Sequence, residues 1–134
     1  MKRIALVIAF LFSLNAIYGQ TTLAFCGGVD AQGTCIYNNS KFFFAQDSAN
    51  QRIYMEVKDV NTFAGTNKIT FKFYSIAKNG DEKYLSMTDQ EVKDNWMFAW
   101  LPHVFDAAGK YNVKVYNDKD LMICSKTLEF FQAK

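Results

Sequence analysis

The chain has 134 residues, of which 50% are hydrophobic and 16% aromatic, with one proline, three cysteines and one histidine. This length suits one domain, or one domain behind a targeting segment, and the apolar content excludes an intrinsically disordered chain. The formal net charge is +2, and Lys2 and Arg3 lie in a segment that we expect to be removed, so the remaining chain is neutral. A neutral domain lacks the basic footprint of nucleic-acid binding or of attachment to an anionic membrane surface.

The first residues have the pattern of a secretory signal peptide. Met1–Arg3 is a short basic start, residues 4–14 are an almost unbroken apolar run, and residues 15–20 turn small and polar. An apolar run of about 7–15 residues is typical of a signal peptide, whereas a membrane span needs about 20. We therefore predict a cleaved signal peptide over residues 1–19 and one mature domain over residues 20–134.

Cleavage after Ala16 or after Gln20 is the alternative to cleavage after Gly19. Lipidation is not expected, because Phe25, directly before Cys26, is too bulky for a bacterial lipobox. We predict a secreted or periplasmic protein that is not a lipoprotein and does not insert into the membrane after cleavage.

Export makes the three cysteines candidates for disulfide bonds. Cys26 and Cys35 flank a glycine-rich loop, residues 27–34, and are close enough in sequence to meet across a turn. Cys124 is either a small buried apolar residue or the partner of one of the other two. The sequence leaves the three pairings open, and we favour Cys26–Cys35.

Alternation of apolar and polar residues dominates the mature sequence, and this period of two predicts half-buried strands. The predicted strands cover residues 22–25, 42–45, 52–58, 68–74, 82–87, 96–101, 110–117 and 121–131. Asn79-Gly80 and residues 117–120 predict hairpin turns. Residues 88–91 have the form of a helix capping box, but no apolar stripe follows, so we expect at most one helical turn there. Seven or eight short strands with regular turns predict an all-β fold, a single antiparallel β-sandwich or a barrel.

Residues 105–115 (FDAAGKYNVKV) resemble the corner and following strand of immunoglobulin-like domains. The resemblance covers about residues 52–131 and implies an immunoglobulin-like β-sandwich, or fibronectin type III-like topology, as in small secreted bacterial proteins. It also implies that Tyr111, beside Gly109, bonds through its hydroxyl to the backbone of the corner. Val113 stands where antibody domains carry their second inter-sheet cysteine.

The sequence offers little catalytic chemistry. Any catalytic triad must use His103, the only imidazole, which follows Pro102 among apolar neighbours and suits the rim of a strand. The carboxylates fall mainly in predicted turns, and no zinc, calcium or phosphate-loop spacing is present. We therefore predict that the protein is not an enzyme and uses no cofactor or metal.

Aromatic residues provide the candidate binding groups. Trp96, Phe98 and Trp100 lie on one face of their predicted strand, where they form either an exposed platform or part of the core. A sandwich of this size needs several buried aromatic side chains, so we expect the core. Ser48 matches a short acceptor pattern for bacterial O-glycosylation.

We predict a non-enzymatic binding or structural module that recognises an unidentified protein or glycan at the cell envelope or outside the cell. Two alternatives differ in mechanism. One is a secreted protease inhibitor that presents residues 27–34, and the other is a small β-barrel that holds an apolar ligand.

Overall fold

The computed structural model describes residues 21–44, 51–59, 63, 65–93 and 95–132. No helix within these ranges is long and apolar enough to cross a bilayer. The predicted signal peptide and Ser48 lie outside the described residues. The regular elements are the strands β1 (Thr21–Val29), β2 (Cys35–Asn38), β3 (Lys41–Phe44), β4 (Gln51–Asp59), β5 (Lys68–Ile76), β6 (Glu82–Glu91), β7 (Phe98–Phe105), β8 (Gly109–Tyr116) and β9 (Met122–Gln132).

The strands form two sheets that face each other. The four-stranded sheet has the order β2-β1-β4-β7, and the five-stranded sheet has the order β3-β9-β8-β5-β6. Neighbouring strands are antiparallel except β3 and β9, which run parallel. The all-β sandwich is therefore confirmed, and the barrel alternative is wrong because the strands divide between two sheets.

The core lies between the inner faces of the two sheets, and alternation along the strands fills it. On β4, Ile53, Met55 and Val57 are fully buried, and on β5, Phe71 and Phe73 are buried in the same way. Each such side chain contributes roughly 1.5–3 kcal/mol through removal from water. The period of two in the sequence is therefore the direct cause of the two-layer architecture.

Both predicted hairpin turns are confirmed. Between β5 and β6, the Ala77 N–H donates to the Asp81 carbonyl at 2.9 Å, and Gly80 has a φ of 93°. Between β8 and β9, Asp120 has a φ of 60°. The side-chain oxygen of Asn117 there accepts hydrogen bonds from two backbone N–H groups later in the turn, at 2.9 and 3.0 Å. Such a local cap makes a positive φ tolerable for a residue other than glycine.

Three local features differ from the sequence predictions. Residues 88–91 continue β6 instead of forming a helical turn, and Asp89 accepts a hydrogen bond from the Thr70 hydroxyl of β5 at 2.7 Å. Pro102 lies within β7 instead of ending it. Proline is tolerated there because β7 is the last strand of its sheet, so one of its backbone edges has no strand beside it in the described residues. Strand β2 was not predicted.

Candidate functional site

An open apolar site with a volume of about 520 Å³ lies at the start of β7. This volume is within the range of natural ligand pockets. We call it the tryptophan pocket. Its lining residues are Gln90, Asn95, Trp96, Met97, Phe98, Ala99 and Trp100.

Trp96, Phe98 and Trp100 line this pocket. Trp96 and Phe98 are exposed and Trp100 is half-buried, so the expectation that these three residues form the core is wrong. Trp96 is 37% exposed and Phe98 is 46% exposed, whereas Ala99 and Leu101, which alternate with them, are buried. Leu101 lies opposite Met55 of β4, and this register turns the small and aliphatic residues of β7 towards the core. Phenylalanines on other strands, Phe25, Phe71 and Phe73 among them, fill the core in place of the tryptophans.

The segment before β7 is fixed by backbone hydrogen bonds. The Trp96 carbonyl accepts a hydrogen bond from the N–H of the buried Phe63, and the Trp96 N–H donates to the Lys93 carbonyl, both at 3.0 Å. Gln90 reaches the pocket from the end of β6, and Asn95 lies in the turn before Trp96. The pocket therefore combines apolar rings on a fixed backbone with two amide side chains.

The predicted disulfide between Cys26 and Cys35 is confirmed. It links β1 to β2 in a hairpin whose turn is closed by Asp30. The Asp30 carboxylate accepts hydrogen bonds from the backbone N–H groups of Gln32 and Thr34, at 3.0 and 2.8 Å. These bonds and the covalent bridge fix the shape of the hairpin tip.

The tip of this hairpin contacts the tryptophan pocket. A Cβ atom placed on Gly33 would lie only 3.0 Å from Cζ2 of Trp100, so the backbone of the tip rests against the indole ring. On β4, Tyr54 meets the same ring edge-on, with ring centroids 6.4 Å apart. The glycine-rich loop predicted as an inhibitory segment is thus partly strand β1 and partly packed on Trp100.

His103 lies inside β7 and packs between the two sheets, not at the end of a strand. Its ring stacks on Phe73 with centroids 3.7 Å apart and meets Phe105 edge-on at 4.8 Å. Burial lowers the pKa of His103, and the negative charge of Asp106 opposes this effect. An imidazole that stacks on one core phenylalanine and meets another edge-on has a packing role. Cys124 is half-buried against the core on β9 and takes no part in the disulfide.

The Tyr111 hydroxyl donates a hydrogen bond to the Ala107 carbonyl at 2.6 Å, which is the contact that the immunoglobulin resemblance implies. Gly109, with a φ of 136°, begins β8 two residues earlier. The Tyr111 ring packs against Phe105 with centroids 4.9 Å apart. Burial raises the pKa of Tyr111, and nearby Asp106 raises it further, so the hydroxyl stays protonated as a donor.

No family model matches this sequence, and no curated protein matches it. The structure is similar to the crystal structure of an immunoglobulin-like protein from Pseudomonas aeruginosa, with a TM-score of 0.55 and 9% sequence identity. The match covers 82% of this chain and 92% of the other. The strand order also corresponds: β1, β4 and β7 take the places of strands A, B and E, and β5, β8 and β9 take those of C, F and G. The chain therefore has an immunoglobulin-like β-sandwich fold.

Proposed function

We propose that this protein is an exported, non-enzymatic recognition module that binds a partner protein through the tryptophan pocket. The observation that carries the proposal is the cluster of Trp96, Met97 and Phe98, each between 37% and 53% exposed, around one apolar pocket. Tryptophan, methionine and phenylalanine are enriched at the centres of protein interfaces. Exposing several of them together is unfavourable for a protein that has no partner.

The apolar surface continues beyond the tryptophan pocket along the side of the sandwich where edge strands β6 and β7 lie next to each other. Strands β6 and β7 are the last strands of their sheets, and both contribute to the tryptophan pocket. Further along, they share a second cavity of about 560 Å³ that is lined in part by Leu85 and Val104. Leu85, Met87 and Val104 are all exposed. The tryptophan pocket and this second cavity together form an apolar surface along β6 and β7. This surface is larger than one sugar ring requires, which favours a protein partner.

The outer edges of β6 and β7 both carry features that hinder the addition of a further strand. Pro102 removes a backbone donor from β7. In β6, Ser86 pairs with Phe73 and Tyr84 with Tyr74, so Leu85 is an extra residue in a bulge. Proline and bulges protect sheet edges from pairing with other chains. We therefore propose that the partner is recognised by side-chain contacts and not by backbone pairing.

Export is supported by the Cys26–Cys35 disulfide, since such bonds persist in oxidising compartments. The predicted signal peptide over residues 1–19 agrees with it. The protease-inhibitor alternative receives less support, because Gly33 at the hairpin tip rests on Trp100 instead of standing clear of the domain.

A glycan is the second candidate partner. Gln90 and Asn95 place amide groups beside the tryptophan rings, and stacking on an aromatic ring together with amide hydrogen bonds suits a sugar. The same binding experiment separates the two, because a glycan partner is destroyed by periodate oxidation, whereas a protein partner is destroyed by protease.

The test is affinity capture with the tagged full chain expressed in its own source. Met97→Lys changes an exposed residue of the pocket, and Leu121→Lys changes an equally exposed residue in the β8–β9 turn as the matched control. We expect one stoichiometric partner whose purified form binds Met97→Lys roughly tenfold more weakly or worse, as for a hot-spot residue, and binds Leu121→Lys normally. Equal binding by both variants would remove the tryptophan pocket from consideration as the site.

A further inference from the structure

We infer that Gly33 is a positioning residue for the tryptophan pocket, because the disulfide-closed tip of the β1–β2 hairpin holds the ring of Trp100 in place. The orientation of the ring follows from the contacts alone. Its consequence for partner binding rests on the proposed function.

Glycine is required at position 33 for two separate reasons. Gly33 has a φ of 81°, a left-handed conformation that other residues adopt at a cost. In addition, an added Cβ would lie 3.0 Å from Cζ2 and 3.8 Å from Cη2 of Trp100. A side chain at this position would push the indole ring away from the hairpin, since the backbone of the tip is held by its own hydrogen bonds.

The hairpin tip resists displacement. The Gly33 N–H donates to the Asp30 carbonyl and the Asp30 N–H donates to the Thr34 carbonyl, both at 3.0 Å. The Cys26–Cys35 disulfide closes the base of the tip. The ring of Trp100 must therefore adapt to the tip.

The other neighbour of the ring is tied to the same hairpin. Tyr54 meets Trp100 edge-on, and in the β1–β4 register Tyr54 lies opposite Cys26. The disulfide thus anchors the hairpin beside Tyr54, while the tip reaches the ring itself. Trp100 therefore lies between the hairpin tip, which the disulfide closes, and Tyr54 of β4, which backbone pairing holds beside β1.

The chain has two tryptophans, so each can be made the sole fluorophore. In a Trp96→Phe background, Trp100 is the only tryptophan, so selective excitation of indole reports on Trp100 alone. We expect Gly33→Ala to move the Trp100 emission to longer wavelength and to increase its quenching by acrylamide, because the displaced ring gains contact with water. Gly65→Ala is the matched control, since Gly65 also has a φ of 81° but no described atom lies within 4 Å of its added Cβ.

A second variant covers the case in which Gly33→Ala does not fold. The double change Cys26→Ser and Cys35→Ser releases the hairpin and should produce the same shift in Trp100 emission. The same changes in a Trp100→Phe background should leave Trp96 emission unaltered, which excludes general loosening of the domain.

The inference is overturned if Trp100 emission in Gly33→Ala matches that in Gly65→Ala, or if both tryptophans respond equally to loss of the disulfide. It is also overturned if the ring moves but the captured partner binds Gly33→Ala as tightly as Gly65→Ala. Failure to capture any partner would refute the proposed function, and the fluorescence comparison would still decide the role of Gly33.

Discussion

Replacing Tyr111 with phenylalanine tests the corner between β7 and β8. The change removes the hydroxyl that donates to the Ala107 carbonyl at 2.6 Å and keeps the ring that packs against Phe105 and Phe130. A hydrogen bond of this kind contributes about 0.5–1.5 kcal/mol to stability. Ala107 is an exposed residue, so we expect water to reach its carbonyl after the change and the larger penalty for a buried acceptor without a partner not to apply.

We therefore expect Tyr111→Phe to lower the free energy of unfolding by about 1 kcal/mol, which corresponds to a decrease of roughly 4 °C in Tm for a domain of this size. Tyr111→Ala also removes the buried ring and should cost about 3–5 kcal/mol. Urea unfolding with a constant m value measures both differences.

Tyr116→Phe is the matched control for this measurement, because it removes a hydroxyl from the outer face of the same strand, where the ring lies under Lys72. If Tyr111→Phe is no less stable than Tyr116→Phe, the hydroxyl does not stabilise the corner. If Tyr111→Phe loses as much as Tyr111→Ala, the assumed division between hydrogen bond and ring packing is wrong.

Three further predictions concern the disulfide bridge, the half-buried His103 and the outer edge of β7. Loss of the Cys26–Cys35 disulfide should lower the free energy of unfolding by roughly 2.5–3 kcal/mol in the chain-entropy model, measured by urea unfolding without reductant, and an unchanged midpoint would contradict that model. Burial lowers the pKa of His103 from its ordinary value of 6.5, so the unfolded chain binds the proton first and stability should fall as pH drops below about 6.5. His103→Phe should reduce this slope between pH 8 and pH 5, and an unaltered slope would assign the pH dependence to other groups. Pro102→Val restores a donor to the edge of β7 and should increase self-association in sedimentation experiments, whereas an unchanged sedimentation profile would show that proline does not protect this edge.

The strands could be predicted because burial imposes the same alternation on sequence and structure. Residues 52–58 and 68–74 alternate strictly, and the structure places their apolar residues in the core. The short loop between Cys26 and Cys35 likewise favoured the pairing that the structure shows. Strand β2 was missed because its residues are mostly exposed and show no alternation.

The direction of the tryptophans could not be predicted because both faces of residues 96–101 are apolar. When alternation is absent, the sequence does not show which face of a strand points into the core, because this depends on which side chains fill the core. In this structure Ala99 and Leu101 point into the core beside phenylalanines from other strands. The contact between Gly33 and Trp100 joins segments far apart in sequence, so no local spacing predicts it. The place of Gln90 beside the pocket could not be predicted, because residues 88–91 match a helix capping box and the sequence therefore did not indicate that β6 continues through them.

The parallel pairing of β3 with β9 has a consequence for the order of events during biosynthesis. Lys41 of β3 lies opposite Glu129 of β9, so β3, near the start of the domain, pairs only with the last strand. Closing so long a loop costs chain entropy before any contact compensates for it. A nascent chain that lacks β9 leaves both β3 and β8 with open edges, so the five-stranded sheet is completed only after synthesis of residue 132. For a chain exported as we propose, a sheet that is completed last is compatible with threading through a secretion channel before folding, and the disulfide forms in the oxidising compartment beyond it.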